Sequence, residues 1–269
     1  LETLNALLGN DSNAAAIEIA LNGGELEFRE QSTFAIGGVG VIARLDDAAI
    51  EPYRAYRAVA SAVLTIESIT SGRFVYLAIY PGIMTPPVMH SRSTYLPGAF
   101  GGFEGRRLRN GDVLPTDDGR LRQRRHHVAD PLPVDLHPVS ERAAIRYVAR
   151  DDVPDFHRDP WSVSPASDRT GYRLRGRSID GGASITSEPV CAGTIQLPPG
   201  GEPIVLMADA PTVGGYRILG AVISADLGVL AQMSPGTSVT FEPVSIDDAQ
   251  RALRAEEERI ERIREWSLA

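Results

Sequence analysis

The sequence predicts a mainly β protein built from two strand-rich halves, and three observations carry that prediction. Apolar and polar residues alternate with period two in several short runs, the pattern of a strand with one buried face. Turn signals separate these runs at close spacing: Asn22-Gly23-Gly24, Ser71-Gly72, Asn110-Gly111-Asp112, Pro199-Gly200-Gly201 and Ser234-Pro235-Gly236. The segment Pro115–Pro138 breaks the pattern with Arg120, Arg122, Arg124, Arg125, His126 and His127, then Pro131, Pro133 and Pro138. It reads as a solvated linker. The predicted organisation is an N-terminal half over residues 1–114, a linker over 115–138, a second half over 139–246 and a terminal helix over 247–269. Many short strands at this spacing point to barrels or sandwiches.

The elements follow in order. Asn5–Leu8 reads as the end of a short helix. Leu26 and Phe28 alternate with Glu25 and Glu27, a half-buried strand. Gly37, Gly38 and Gly40 lead into Val41-Ile42-Ala43, a strand; a dinucleotide-binding loop would open a helix instead, so this is a turn at a strand edge. Leu64 and Ile66 alternate with Thr65 and Glu67, and Arg73–Tyr80 is rich in β-formers. In the second half, Pro203–Met207 is a short apolar strand, and Val239 and Phe241 alternate with polar neighbours. Ser224 is the expected N-cap of a short helix that ends near Met233. Ser245 and Asp248 have capping-box spacing ahead of Asp247–Trp266. There Leu253, Ile260, Ile263 and Trp266 form a narrow apolar stripe between Glu/Arg pairs, as expected of a helix laid on a barrel or a partner.

Composition excludes several functions. Of 269 residues, 43% are hydrophobic and 23% charged, which is globular rather than disordered. The net charge of −8 argues against a nucleic-acid surface. No apolar run approaches the ~18 residues of a membrane span, and Leu1–Asn10 lacks a leader's basic start and apolar middle. A cytoplasmic protein is expected. All 27 basic residues are Arg, and there is no Lys. That excludes a Walker-type ATP loop, Schiff-base catalysis, covalent biotin and a Ser–Ser–Lys amidase. The five His show no HxH or HExxH spacing and no Cys pair exists, so no metal site is predicted. The single Cys191, among Pro189, Val190 and Ala192, is expected to be buried and inert.

Two loops mix glycines with polar groups. In Ser91–Arg106, glycines at 98, 101, 102 and 105 let backbone N–H groups approach a ligand, and Arg92 and Arg106 can fork onto an anion. The competing reading is a turn whose Arg and Glu pair with each other. Val163–Leu174 repeats the same chemistry with Ser164, Arg169, Tyr172 and Arg173. A third segment holds Gln196, then Asp209 at a strand end, then Gly214, Gly215 and Tyr216.

These runs, SRSTYLPGAFGGFEG (Ser91–Gly105), VSPASDRTGYRL (Val163–Leu174), GTIQLP (Gly193–Pro198) and Asp209…Gly214-Gly215-Tyr216 followed by VISADL (Val222–Leu227), resemble the allophanate hydrolase subunit 2 family. That family is also called KipA-like, biotin-dependent carboxyltransferase-like or the 5-oxoprolinase C-subunit family. The resemblance implies two cyclophilin-like β-barrel halves. It departs from the family pattern at Ala210-Pro211-Thr212-Val213, where R-Q-T-T is common; family members usually carry a longer segment with an E-D-x-G-R-x-G run before the equivalent of Asn5, and whether this protein has that loop ahead of Leu1 is left open. The implied function is a subunit of an ATP-dependent 5-oxoprolinase acting with a KipI-like (allophanate hydrolase subunit 1) partner in a heterodimer or heterotetramer. ATP then belongs to the complex, not necessarily to this chain. Arg92, Tyr95, Arg169, Tyr172 and Asp209 would be catalytic. Ser93, Gly101, Gly102, Glu104, Arg106, Ser164, Arg173, Gln196, Gly214, Gly215 and Tyr216 would bind substrate. Two alternatives remain: a non-enzymatic regulator that binds a KipI-like kinase inhibitor, and a carboxyltransferase component of a urea carboxylase-type system with a separate biotin carrier.

Overall fold

In the first half, strands that follow one another in sequence fall at matching positions in two sheets. This is seen in a computed structural model, which describes residues 1–20, 22–116, 130–138, 144–150, 153–181 and 185–268. The basic cluster at 120–127 lies outside the described residues. The chain divides into two units, Leu1–Pro138 with Glu258–Ala269, and Val139–Glu257.

The first unit opens with helix α1 (Glu2–Leu8), then strands β1 (Ile17–Ala20), β2 (Gly24–Glu27), β3 (Ser32–Gly38), β4 (Val41–Leu45), β5 (Ala48–Ile50), β6 (Ala55–Ala58), β7 (Val63–Ile69) and β8 (Phe74–Tyr80). They form two antiparallel four-stranded sheets, in the orders β1-β8-β3-β6 and β2-β7-β4-β5. Each position of one sheet is occupied by a strand adjacent in sequence to its counterpart in the other, so short turns carry the chain from sheet to sheet. The predicted turn at Gly37–Gly40 is one of these. The alternating apolar faces meet in a single core: Phe34, Ile36, Val75 and Leu77 from one sheet, Ala43, Ile50, Leu64 and Ile66 from the other. This is the economy of a sandwich, in which one layer of side chains covers two sheets.

The outer face of the β3-β8-β6 surface carries Ala35, Ala55 and Ala78, small enough for α1 to lie close with Leu4, Leu7 and Leu8. Leu132 and Leu136 are buried in the same cluster, as is Ile263. Residues 130–138 are therefore part of this unit's core rather than a free linker, which differs from the expectation for 115–138. The physical reason is the pair of leucines spaced between the prolines. Arg259 fastens the arrangement, donating to the Leu136 carbonyl (2.6 Å) and to Thr3 Oγ1 (3.1 Å), and Ser267 Oγ donates to the Ala6 carbonyl (3.1 Å). A small hairpin of β9 (Thr94–Tyr95) and β10 (Phe100–Gly101) completes the unit.

The second unit contains β11 (Ile145–Ala149), α2 (Pro154–Arg158), β12 (Trp161–Val163), β13 (Gly171–Arg175), β14 (Glu188–Pro189), β15 (Thr194–Leu197), β16 (Ile204–Leu206), β17 (Val213–Gly214), β18 (Arg217–Val222), α3 (Ser224–Ala231), β19 (Ser238–Val239) and β20 (Phe241–Pro243). Eight strands form one sheet in the order β19-β12-β13-β16-β15-β18-β11-β20. Its two outermost strands are separated in sequence by Thr240 alone, so the sheet has to curl until its edges nearly meet. That is how a barrel removes exposed edges. Tyr147, Phe156, Trp161, Leu174, Ile195 and Leu197 fill the interior. The final helix α4 (Ile246–Leu268) begins in this unit and ends in the first.

The Ser245–Asp248 capping box forms: the Asp248 N–H donates to Ser245 Oγ (3.1 Å), and the two side chains meet at 2.5 Å. The expected Ser224 cap does not. Ile223 is the N-cap, held extended by its N–H to the Arg146 carbonyl (3.1 Å), and Ser224 is already the first helical residue. Cys191 is exposed rather than buried, because it sits in the turn ahead of β15. Among the described residues no helix is long and apolar enough to cross a membrane.

Candidate functional site

The sequence-predicted residues fall into two groups, one in each unit. In the first unit the glycine-rich loop folds against itself. Gly102 shows why glycine is needed: its φ is +53°, and a Cβ there would lie 1.9 Å from Thr94 Oγ1. Gly101 and Gly105 similarly face the carbonyls of Ser93 and Ala99. The glycines serve close packing of the hairpin, and Tyr95 packs against Phe100 with ring centroids 5.3 Å apart and planes tilted by 46°. Ser93 is exposed, and its N–H donates to Ser91 Oγ (3.1 Å).

Arg106 is committed inside this loop. Its Nη1 and Nη2 fork onto both Asp112 oxygens (2.7 and 2.9 Å), Nε and Nη2 reach Glu104 (3.0 and 2.6 Å), and Nη1 also donates to the Arg107 carbonyl (3.0 Å). All five N–H donors are used, so Arg106 and Glu104 clamp the loop rather than await an anion. The Arg106 guanidinium, helped by the Arg109 N–H, lowers the Asp112 carboxyl to about 2, while the Asp112 hydrogen bonds raise the Arg106 pKa further. Arg92 donates to the Thr85 carbonyl. Thr85 lies on a largely apolar groove of about 560 Å³ with Met84, Val88, Phe100 and Phe103, and Gly101, Gly102 and Glu104 also line it.

In the second unit, Asp168 Oδ1 accepts the Thr170 and Gly171 N–H groups, an Asx-type turn that presents Arg169. Arg169 then meets Asp209: Nε to Oδ2 at 2.9 Å and Nη2 to Oδ1 at 3.1 Å. The Asp209 N–H also donates to the Arg169 carbonyl (2.9 Å), so the pair is fixed from both backbone and side chain. The structure thus joins two residues that lie 40 positions apart. Arg173 is exposed on β13, with no ion pair among the described residues.

Two assignments in this loop need correction. Tyr172 is 1% exposed, lies in the barrel core and donates to the Ala231 carbonyl at 2.6 Å. Its hydroxyl anchors α3 and is unavailable to a substrate. Ser164 is buried, and its Oγ accepts the Ala166 N–H (3.2 Å), so it shapes the turn instead of binding ligand. The alternation along β13 explains Tyr172: Gly171 and Arg173 flank a position that faces the interior.

Gln196 and Gly214 are in contact: a Cβ at 214 would lie 2.1 Å from Gln196 Nε2. Gly215 accepts the Ile185 N–H (2.9 Å) through its carbonyl, and Tyr216 is partly exposed beside it. Sequence reasoning missed the pair Arg146–Asp226. The fully buried Asp226 accepts from the Arg146 backbone N–H (2.9 Å), Nε (3.0 Å) and Nη2 (2.7 Å), and these bonds raise the Arg146 pKa. An Asp between Ala225 and Leu227, just past the apolar end of β18, was the available signal. Among the described residues, no three His, Cys, Asp or Glu side chains gather where they could hold a metal ion.

The family described as "Carboxyltransferase domain, subdomain A and B" matches residues 1–243. The chain belongs to this carboxyltransferase family. Within it, the chain is 36% identical over its whole length to the 5-oxoprolinase C-subunit of Escherichia coli, covering 87% of that protein. It is 35% identical over 97% of its length to the 5-oxoprolinase C-subunit of Haemophilus influenzae, covering 85% of it. The Kluyveromyces lactis urea carboxylase structure superimposes with a TM-score of 0.89 at 28% identity, with all of this chain matching 26% of that one. The family match and the mainly β fold, with the barrel-like eight-stranded sheet of the second unit, agree with the resemblance read from the motifs.

Proposed function

We propose that this carboxyltransferase-family chain is the C-type component of a heteromeric, ATP-dependent 5-oxoprolinase that opens 5-oxo-L-proline to glutamate. The observation that carries the reading is the near-full-length similarity to two proteins named as the C-subunit of 5-oxoprolinase. A lactam resists water because amide resonance lowers its electrophilicity. Activation at the lactam oxygen by a phosphoryl or carboxyl group makes the carbon attackable. Water then adds there, the C–N bond breaks, and the nitrogen takes up protons to become the amine of glutamate, while the activating group stays on the new carboxyl and a second water releases it as phosphate or bicarbonate. Arg169 and Arg173 supply positive charge for the developing anion, and Asp209, oriented by the Arg169 fork, takes a proton from water.

The nucleotide is assigned to the partner, since a chain without Lys offers no P-loop. That partner is a KipI-like protein, and the assembly is cytoplasmic. The test is 5-oxoproline-dependent ADP release by the complex purified with its co-encoded partners. Arg169→Ala and Asp209→Ala are expected to lower kcat/KM at least ~100-fold, the scale of a lost oxyanion or general-base group. Unchanged rates in both variants overturn these roles, and full activity of this chain alone overturns the composite enzyme. A carboxyltransferase reading is favoured by the carboxyltransferase family match and the urea carboxylase likeness. Carboxyl transfer from a biotin carrier in the absence of ATP would establish it.

A further inference from the structure

We infer that Gln196 and Glu188 form a donor–acceptor pair that receives a ring cis-amide, the adjacent N–H and C=O that a lactam presents on one edge. On β15, Ile195 and Leu197 point into the barrel core, so Gln196 between them points to the opposite face of the sheet. That face is covered by the β14–β17 ribbon, and Gln196 is only 4% exposed beneath it. Its Nε2 is buried without a hydrogen-bond partner among the described residues. Native folds rarely leave such a donor unmet, and each case asks for a reason.

The second observation is an acceptor of the opposite sense on the same side. Glu188 pairs directly with Gly214 across the ribbon. Directly opposed residues of an antiparallel pair project to one face. Gly214 aims its missing Cβ at Gln196, so Glu188 projects toward Gln196's side as well, while Val213 and Pro189 are exposed on the other. The Glu188 Oε2 accepts from Arg150 (2.8 Å), whereas Oε1 is buried without a partner among the described residues. An N–H donor and a carboxylate acceptor, both unmet among the described residues, therefore lie under the ribbon at Gly214, where the missing Cβ lets the Gln196 amide pack against the ribbon backbone; room for a ring arises only when the ribbon lifts off that amide. A ring amide satisfies both at once: its C=O accepts from Gln196 and its N–H donates to Glu188. An open-chain trans amide presents these groups on opposite edges and cannot.

Entry requires the ribbon to lift. It is two residue pairs long and is flanked by the Ile185 N–H to Gly215 carbonyl (2.9 Å) and Val190 N–H to Thr212 carbonyl (3.0 Å) bonds. So short a ribbon opens locally far more easily than the sheet below it. The inference rests on the 5-oxoprolinase reading only for naming the lactam as the ligand; the donor–acceptor match holds for any ring cis-amide.

The test titrates the full chain with 2-pyrrolidone, following the Gln196 side-chain amide and the Gly214 and Gly215 backbone amides by NMR. Saturable shifts are expected with 2-pyrrolidone and none with N-methyl-2-pyrrolidone, which lacks the N–H. Gln196→Met keeps the volume and is expected to abolish the response without lowering Tm, and Glu188→Gln to weaken it at least tenfold. In the assembled enzyme, Gln196→Met is expected to raise KM for 5-oxoproline at least tenfold. Equal shifts with the N-methyl compound, no shift at these amides, or an unchanged KM in an active complex overturn the inference and leave the 5-oxoprolinase reading standing. A complex inactive on 5-oxoproline, with 2-pyrrolidone still titrating Gln196, overturns that reading and keeps the site.

Discussion

Replacing Asp226 by Ala removes the carboxylate that ties the start of α3 to β11. Asp226 is fully buried and accepts from Nε, Nη2 and the backbone N–H of Arg146, whose side chain keeps 21% of its surface exposed. Breaking a buried pair by deleting one partner costs about 3–5 kcal/mol, because the remaining charge is left uncompensated. The partial exposure of Arg146 lets water take up some of that charge, which places the expected loss near the lower end, about 3 kcal/mol. For a unit of this size that corresponds to a fall in Tm of roughly 10 °C. The assay is thermal and urea unfolding of Asp226→Ala, Arg146→Met and the double variant. The double variant is expected to recover at least ~1 kcal/mol relative to the sum of the singles, since it removes the stranded charge. A loss below ~1 kcal/mol in Asp226→Ala, or strict additivity, would refute the assignment of this pair as the anchor of α3.

Gly214→Ala forces the Gln196 amide aside and is expected to cost about 1–3 kcal/mol as local overpacking; adding Gln196→Ala should relieve most of it, as urea denaturation of the three variants will show. Asp112 titrates at about 2, below the ordinary carboxylate range. A lowered carboxylate stabilises the folded loop fully above its unfolded pKa of ~3.8 and loses that contribution as pH falls through about 2. The Arg109 amide resonance, bonded to Asp112 Oδ2 at 2.7 Å, should therefore stay unchanged from pH 7 to about pH 4 and shift only below it. A midpoint near 4 would contradict the clamp. Tyr172→Phe strands the Ala231 carbonyl and is expected to lower stability by about 1–2 kcal/mol while leaving kcat/KM of the complex unchanged; a loss of rate at unchanged stability would restore Tyr172 to the reaction.

Local pattern alone settled much of the fold. Period-two alternation located Leu64 and Ile66 on β7 and Val239 and Phe241 on the last two strands, because a strand with one dry face must alternate, while a run of β-formers located Phe74 to Tyr80 on β8, which is covered on both faces. The Ser245–Asp248 cap was equally legible, since both partners lie within one turn. The absence of Lys excludes whole chemistries whatever the fold. Tertiary structure decided what local pattern cannot carry. Arg106 looked like a free anion receptor until Asp112 came round the turn to join Glu104 and take up its remaining donors. Arg169 and Asp209 became a pair only when two loops met. Tyr172 and Ser164 turned inward or into a turn, whereas composition had counted them with the exposed polar groups. The two unmet atoms beside Gly214 arise from three segments that only the ribbon and the sheet bring together. Burial and hydrogen-bond satisfaction belong to the assembled chain, and those two quantities separate a structural polar residue from one left open to chemistry.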